Sequence, residues 1–282
     1  MKDFNKNEFN KNEFNKKELE KNKLNEIKID DLFWRAQKDN GFILSDITAV
    51  LSNGEFYGIL GPNGAGKTSL IRNIINFIQP TSGNAFYDEK KVSAFSKKEI
   101  SRKISFLPQN TESNLDFDVE TIVAMGREPY REFGKGLNGA DLKAIDEALT
   151  ITDCDKIRKT KFMYLSGGEK QRVMIARIIA QDTPWIILDE PISNLDIRHQ
   201  IELMNIFDRL RKDKGKTIIS IVHDINLAND YCTKILLLKQ GRVVAFGEKE
   251  KVLTAENLES TFDVPFEFIN IPGRTIITPI IA

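Results

Sequence analysis

The stretch EFYGILGPNGAGKTSLIRNIINFI, residues 55–78, sets an apolar run, a glycine-rich turn and an amphipathic run in that order. Gly61 to Thr68, GPNGAGKT, fit the pattern G-x-x-x-x-G-K-[ST] without mismatch, and they do so after a strand-sized segment and before a helical one, the context that gives the pattern meaning. Glycine supplies backbone freedom there, so successive amides can curl around phosphate oxygens at the positive end of a helix. Lys67 adds charge to the β- and γ-phosphates, and the Thr68 hydroxyl can ligate Mg²⁺. Gly61, Pro62, Asn63, Gly64, Ala65, Gly66, Lys67 and Thr68, with Ser69 opening the helix SLIRNIINFI, form a candidate cradle for a nucleoside triphosphate.

Three other apolar runs end in polar residues. KISFL leads to Pro108 and Gln109, WIIL to Asp189 and Glu190, and TIISIV to His223 and Asp224. Near-continuous apolar strands are buried on both faces of a parallel sheet, and their alternation with helical patterns gives an α/β layout. Open sheets of this kind hold ligands at the carboxyl ends of their strands, so the four polar tips point to one shared site. Asp189 can hold the metal's outer shell, and Glu190 can orient and deprotonate an attacking water. An isolated acidic pair before Pro191 would read as a turn cap; the phosphate loop favours chemistry.

The segment LSGGEKQRVMIARIIA, residues 165–180, poses a different problem. Ser166 and Glu169 fit a capping box at a helix start. That leaves Gly167 and Gly168 unexplained, because glycine costs conformational entropy in a helix.

Taken in order, these motifs resemble those of the ATP-binding subunits of ABC transporters. The phosphate loop spans 61–68, the Q-loop glutamine is Gln109, the signature is Leu165, Ser166, Gly167, Gly168 and Glu169, and the acidic strand end is Asp189 and Glu190. Ser193, Asn194, Leu195 and Asp196 form the D-loop, and His223 is the switch histidine. The resemblance runs from about residue 26 to the C-terminus. It implies a P-loop NTPase (RecA-like) α/β core with an antiparallel β subdomain and an α-helical signature subdomain, over residues 26–262, and a C-terminal β-hairpin extension over 263–282. It also implies a head-to-tail homodimer in which Ser166, Gly167 and Gly168 face the γ-phosphate of ATP held by the partner, a reason for glycine that the capping box lacks. Thr68, Gln109 and Asp189 would surround Mg²⁺; Glu190, His223 and Gln109 would serve hydrolysis; and Asp196 would steady the dimer. Trp34 is the first candidate to stack on adenine and Phe33 the second, with a core tryptophan an equally natural reading.

Only about 55 residues separate Gln109 from Leu165, too few for the coiled-coil arm of chromosome-maintenance ATPases, and a single phosphate loop argues against the tandem ATPases of ribosomes. DVETIVAMGREPY at 118–130 and the tail FEFINIPGRTIITPI are similar to segments of iron-siderophore, haem and cobalamin importers. That similarity implies a polytopic permease partner touching the surface around 110–135, a substrate-binding protein outside the membrane, and a place on the cytoplasmic face of the cell membrane. Importers of zinc or manganese share much of the layout, and a soluble assembly factor of the iron-sulfur type is the rival from another class.

Composition fits these expectations. The chain has 282 residues, 41% of them apolar, with 41 basic and 41 acidic side chains, a balance that argues against a nucleic-acid partner. Cys154 and Cys232 match neither a disulfide framework nor a zinc site, so both read as small buried hydrophobes in a reducing compartment. No run of about 18 apolar residues exists, and Lys, Asn and Glu stand where a signal peptide would need an apolar stretch. FNKNE at 4–8 recurs at 9–13 and, altered, at 14–18; a five-residue period advances each phenylalanine by about 140° around a helix, so no stripe forms and residues 1–25 read as a disordered tail.

Overall fold

A computed structural model describes residues 25–36, 41, 43–109, 116–132, 134–193 and 195–280; the tail expected at 1–25 lies outside them up to residue 24. Strand β3 (Phe56–Leu60) is buried along its whole length. It runs parallel to β6 (Ile104–Leu107), β7 (Trp185–Leu188), β8 (Thr217–Ile221) and β9 (Lys234–Lys239) in a sheet ordered β10-β9-β3-β8-β7-β6, with β10 (Arg242–Glu248) antiparallel at the edge. The strand period of two divides each run between two cores: Phe56, Leu60, Ile186 and Leu188 join one, while Tyr57, Ile59, Trp185 and Ile187 join the other. The four polar tips expected from the sequence thus do lie along one sheet edge.

On the second core lies an antiparallel sheet, β2-β1-β4-β5, of β1 (Ile27–Trp34), β2 (Leu44–Leu51), β4 (Ser82–Tyr87) and β5 (Lys90–Lys91). On the first core lie helices α3 (Val119–Ala124), α4 (Gly139–Ile151) and α5 (Gly167–Ala180), through residues such as Ile122, Leu149 and Val173. Helices α1 (Lys67–Ile74) and α2 (Lys97–Ile100) pack into the second core through Leu70, Ile71 and Ile100, and α6 (Ile197–Lys214) and α7 (Ile225–Tyr231) into the first through Leu203, Phe207 and Ala228. Helix α1 stops before the end of the pattern SLIRNIINFI because Asn76 takes a left-handed φ of 59° and the Phe77 amide turns back to the Arg72 carbonyl at 2.8 Å, which leaves Phe77 exposed. Both cysteines are buried, and desolvation pushes the Cys232 thiol up to about 12, so it packs rather than reacts.

The chain ends with α8 (Lys249–Val252), α9 (Ala255–Phe262) and a hairpin of β11 (Phe266–Ile271) and β12 (Arg274–Pro279). Strand β12 is fastened to α7: the Asn226 side chain donates to the Ile277 carbonyl at 3.0 Å and accepts from its amide at 2.8 Å, and Arg274 pairs with Asp230 at 2.6 Å.

A six-residue stretch of 3₁₀ helix, Met125–Tyr130, locks the helical layer together. Arg127 within it is buried, pairs with Asp141 of α4 at 2.9 Å, and donates to the Ala180 carbonyl at the end of α5 at 2.8 Å. Such a pair contributes specificity of position more than stability, since desolvation offsets much of its attraction. Its neighbour Gly126 has no room for a side chain: a Cβ there would stand 2.2 Å from the Arg177 carbonyl. Gly126→Ala is therefore expected to destabilise the chain by about 1–3 kcal/mol, the usual cost of overpacking, and urea unfolding measures it. Unchanged stability would show that α5 and the 3₁₀ turn are not in rigid contact.

Candidate functional site

The phosphate loop closes the gap between β3 and α1 with three left-handed glycines, Gly61, Gly64 and Gly66, at φ values of 152°, 78° and 100°. Gly61 has no alternative on grounds of space as well, and Gly66 is crowded. A Cβ on Gly61 would lie 2.0 Å from the Leu238 carbonyl oxygen, and one on Gly66 would lie 2.8 Å from Leu44 Cδ2. Lys67 folds back under the loop and donates to the carbonyls of Gly61 at 2.8 Å and Pro62 at 3.0 Å. Burial lowers its ammonium from the ordinary value, against the pull of Glu190 and Asp189. A buried cation held only by carbonyls suits a phosphate, which would supply the missing negative charge.

Thr68 donates from Oγ1 to Asp189 Oδ1 at 3.1 Å. Asp189 is buried at the end of β7, and that burial pushes its carboxyl above the ordinary range despite the Thr68 bond. A hydroxyl and a buried carboxylate are hard oxygen ligands, the donor set that suits Mg²⁺ completed by phosphate oxygens and water. The residues present fit that ion.

Beside this pair, Glu190 occupies the left-handed region at φ 54°, a conformation disfavoured for a residue with a side chain, and strain of that kind gathers at functional sites. It receives the amide of Gln109 at 2.6 Å on one carboxylate oxygen and His223 Nε2 at 2.6 Å on the other. The structure therefore brings Gln109, Glu190 and His223 together from three strand ends, at the edge of the Lys67, Thr68 and Asp189 cradle. Glu190 can accept a proton from a water placed between it and a phosphate, and the two partners fix its direction.

Ser166 caps α5 as the sequence suggested: its Oγ accepts from the Glu169 amide at 3.4 Å and donates to Glu169 Oε2 at 2.7 Å. Hydrogen bonds from Ser166 hold the Glu169 carboxyl below its ordinary value. Gly167 and Gly168 are different, because a Cβ on either meets nothing within 4 Å and neither has a positive φ. Nothing among the described residues of the single chain explains them. Asp196 caps α6 through the His199 amide at 2.9 Å and also takes its ring Nδ1 at 2.9 Å, Ser193 Oγ donates to the Glu190 carbonyl at 3.2 Å, and Leu195 packs on the core; Asn194 lies outside the described residues. Trp34 ends β1, partly buried against the second core beside the Ile43 amide that its carbonyl binds at 2.8 Å. That packing supports the core reading of the tryptophan at least as well as the stacking one, and the loop that follows, 37–40 and 42, lies outside the described residues.

Two side chains that the motifs did not reveal hold the loop after Glu190. Gln171 of α5 donates to the Pro191 carbonyl at 2.7 Å, and Gln200 of α6 donates to the Leu195 carbonyl at 2.9 Å. No sequence signal marks them, since each acts across a contact that only the fold creates.

A glycine-lined cradle with a buried lysine, next to an acid-tipped strand carrying a glutamate held by glutamine and histidine, defines a P-loop ATPase. The chain belongs to the ABC transporter family, whose profile matches residues 44–193. It is 36% identical over 234 residues to the petrobactin import ATP-binding protein YclP of Bacillus subtilis (strain 168), covering 83% of this chain and 92% of that one. It is 32% identical to the ferric enterobactin transport ATP-binding protein FepC of Escherichia coli (strain K12), with 84% and 89% covered. Among solved structures, a metal-chelate type ABC transporter in an inward-facing conformation overlays with a TM-score of 0.79 at 26% identity, covering 91% of this chain and 98% of that one. A dimeric ATP-binding cassette bound to ADP and Pi overlays with a TM-score of 0.69 at 27% identity, covering 79% and 98%. The chain is accordingly an ATP-binding ABC ATPase, and the α/β core with its β and helical subdomains is the family's fold.

Proposed function

We propose that this chain is the ATP-hydrolysing motor of an importer for an iron-siderophore, haem or cobalamin-type chelate. The observation that carries the hydrolytic part is Glu190, strained at φ 54° and gripped at 2.6 Å by both Gln109 and His223 beside the Lys67 cradle. Likeness to import subunits for petrobactin and ferric enterobactin supports the cargo class. Two copies close head to tail on two ATP molecules. Residues 61–69 grip the phosphates of one, while Leu165 to Glu169 of the other copy face its γ-phosphate. Thr68, Asp189 and Gln109 hold Mg²⁺, which neutralises phosphate charge. Gln109 and His223 orient Glu190, which takes the proton of the attacking water; Trp34 is the candidate beside adenine, and the loop Ser193 to Asp196 braces the pair of subunits.

No described helix is long and apolar enough to cross a membrane. In this reading the chain sits on the cytoplasmic face, through a polytopic permease to which a separate binding protein delivers cargo. Residues 26–262 act as the motor domain and 263–282 as an extension packed upon it. A groove of about 810 Å³ between α2, the Met125–Tyr130 turn and the end of α5 gives a permease segment a place to dock.

Affinity capture of the tagged chain from detergent-solubilised membranes tests this. A multi-spanning partner whose vesicles take up a ferric chelate when ATP is supplied is the expected result. A wholly soluble complex would replace the reading with the assembly-factor one, and uptake of zinc or manganese alone would correct the cargo.

A further inference from the structure

Glu169 is the one charged residue among Leu165 to Glu169, and it lies in the first turn of α5, the turn that meets the other subunit's phosphate in the head-to-tail reading. Its Oε2 accepts twice from Ser166, from the amide at 2.9 Å and from the hydroxyl at 2.7 Å. A serine hydroxyl has a single proton to donate. While Glu169 holds that proton, Ser166 has none to offer a phosphate. The carboxylate also takes up the positive helix end that an incoming phosphate would use. Glutamine at this position would complete the capping box equally well, so capping alone does not call for a charge.

The charge has a second place to go. Arg172 stands three residues further along α5, a spacing at which helix side chains meet. Hydrogen bonds from Ser166, and after them the charge of Arg172, hold the Glu169 carboxyl below its ordinary value, so it is ionised at neutral pH. Yet the carboxylate is turned back to Ser166, and Arg172 Nε is buried without a hydrogen-bond partner.

We propose that Glu169 is a built-in competitor of the ATP γ-phosphate: it holds the Ser166 proton in the lone subunit and swings to Arg172 when two subunits close on nucleotide. This rests on the head-to-tail reading and deepens it by giving closure an internal threshold. A phosphate at the helix start repels the carboxylate, and Arg172 takes the carboxylate in a position that leaves the hydroxyl free.

The test uses the full chain carrying Glu190→Gln, in which ATP is expected to persist, and sedimentation velocity measures pairing with ATP and Mg²⁺. A charge at a helix end changes binding there about two- to fivefold, and the closed dimer has two such ends. Adding Glu169→Gln is therefore expected to tighten pairing about 4- to 25-fold, a gain that shrinks as salt rises. Without ATP the same variant is expected to melt no higher than its parent, since it loses a favourable charge at the helix end. A substitution that merely firmed the fold would raise melting and pairing together and would be indifferent to salt. Arg172→Met is expected to weaken pairing at least about twofold, and to change it little once Glu169→Gln is present. If Glu169→Gln pairs no more tightly than its parent, the competition is overturned and the head-to-tail reading stands. Equal weakening by Arg172→Met with either residue at 169 overturns the swing to Arg172. A parent that does not pair with ATP overturns the head-to-tail reading and the competition with it.

Discussion

Glu190→Gln is expected to lower ATP turnover by about 10²- to 10⁴-fold while ATP still binds, the span that a positioned general base contributes. The substitution keeps the shape of the side chain and can keep its contacts to Gln109 and His223, both at 2.6 Å. What it removes is the ability to accept a proton. On the barrier this amounts to about 3–5 kcal/mol. The phosphate cradle is untouched, since Lys67 and Thr68 bind through Gly61, Pro62 and Asp189 rather than through Glu190. ATP should therefore hold the subunits together without being consumed. Steady-state phosphate release gives the turnover, and size-exclusion chromatography with ATP gives the trapped dimer. Normal turnover would transfer the base role away from Glu190. Lost ATP affinity would show that its charge supports the cradle.

The difference between what the sequence discloses and what it hides is one of range. A strand shows itself locally, because Phe56, Ile59 and Leu60 are apolar neighbours in the chain, and the core merely sorts them by face. The glycines of the phosphate loop are equally local, since the turn they make is a property of eight residues. Motif order then places Gln109, Glu190 and His223 at strand ends, and parallel pairing of β6 with β7, β7 with β8 and β8 with β3 brings those ends together. The unread parts are contacts between segments far apart in the chain. Nothing near Gln171 announces a bond to Pro191, and nothing near Arg127 announces that it caps a carbonyl 53 residues away. The pattern SLIRNIINFI runs past the end of α1 for a local reason, because Asn76 adopts the left-handed conformation that ends the helix.

Gly168→Leu is expected to separate two quantities that mutations usually lower together. Within one chain the glycine is a loss: it stands in the first turn of α5 with no strain, and a Cβ there meets nothing within 4 Å. Leucine at a helix position is favoured over glycine by about 0.5–1 kcal/mol, so the isolated subunit should melt no lower than wild type. Gly167 and Gly168 keep their place only if something outside the chain must approach the backbone. In the head-to-tail reading that object is the γ-phosphate held by the other copy, and a leucine side chain would hold it off the helix amides. Removing preorganised donors from a developing charge costs about 10²- to 10³-fold, and here the dimer itself is blocked, so turnover should fall by at least that much. ATP affinity of the single subunit, which in that reading rests on residues 61–69, should stay near wild type. A variant that melts like wild type, binds ATP, yet neither pairs nor hydrolyses would mean that these glycines serve the other subunit's nucleotide. One that pairs and hydrolyses normally would leave Ser166 with its capping role alone, and the two-sided grip on ATP would have to be abandoned.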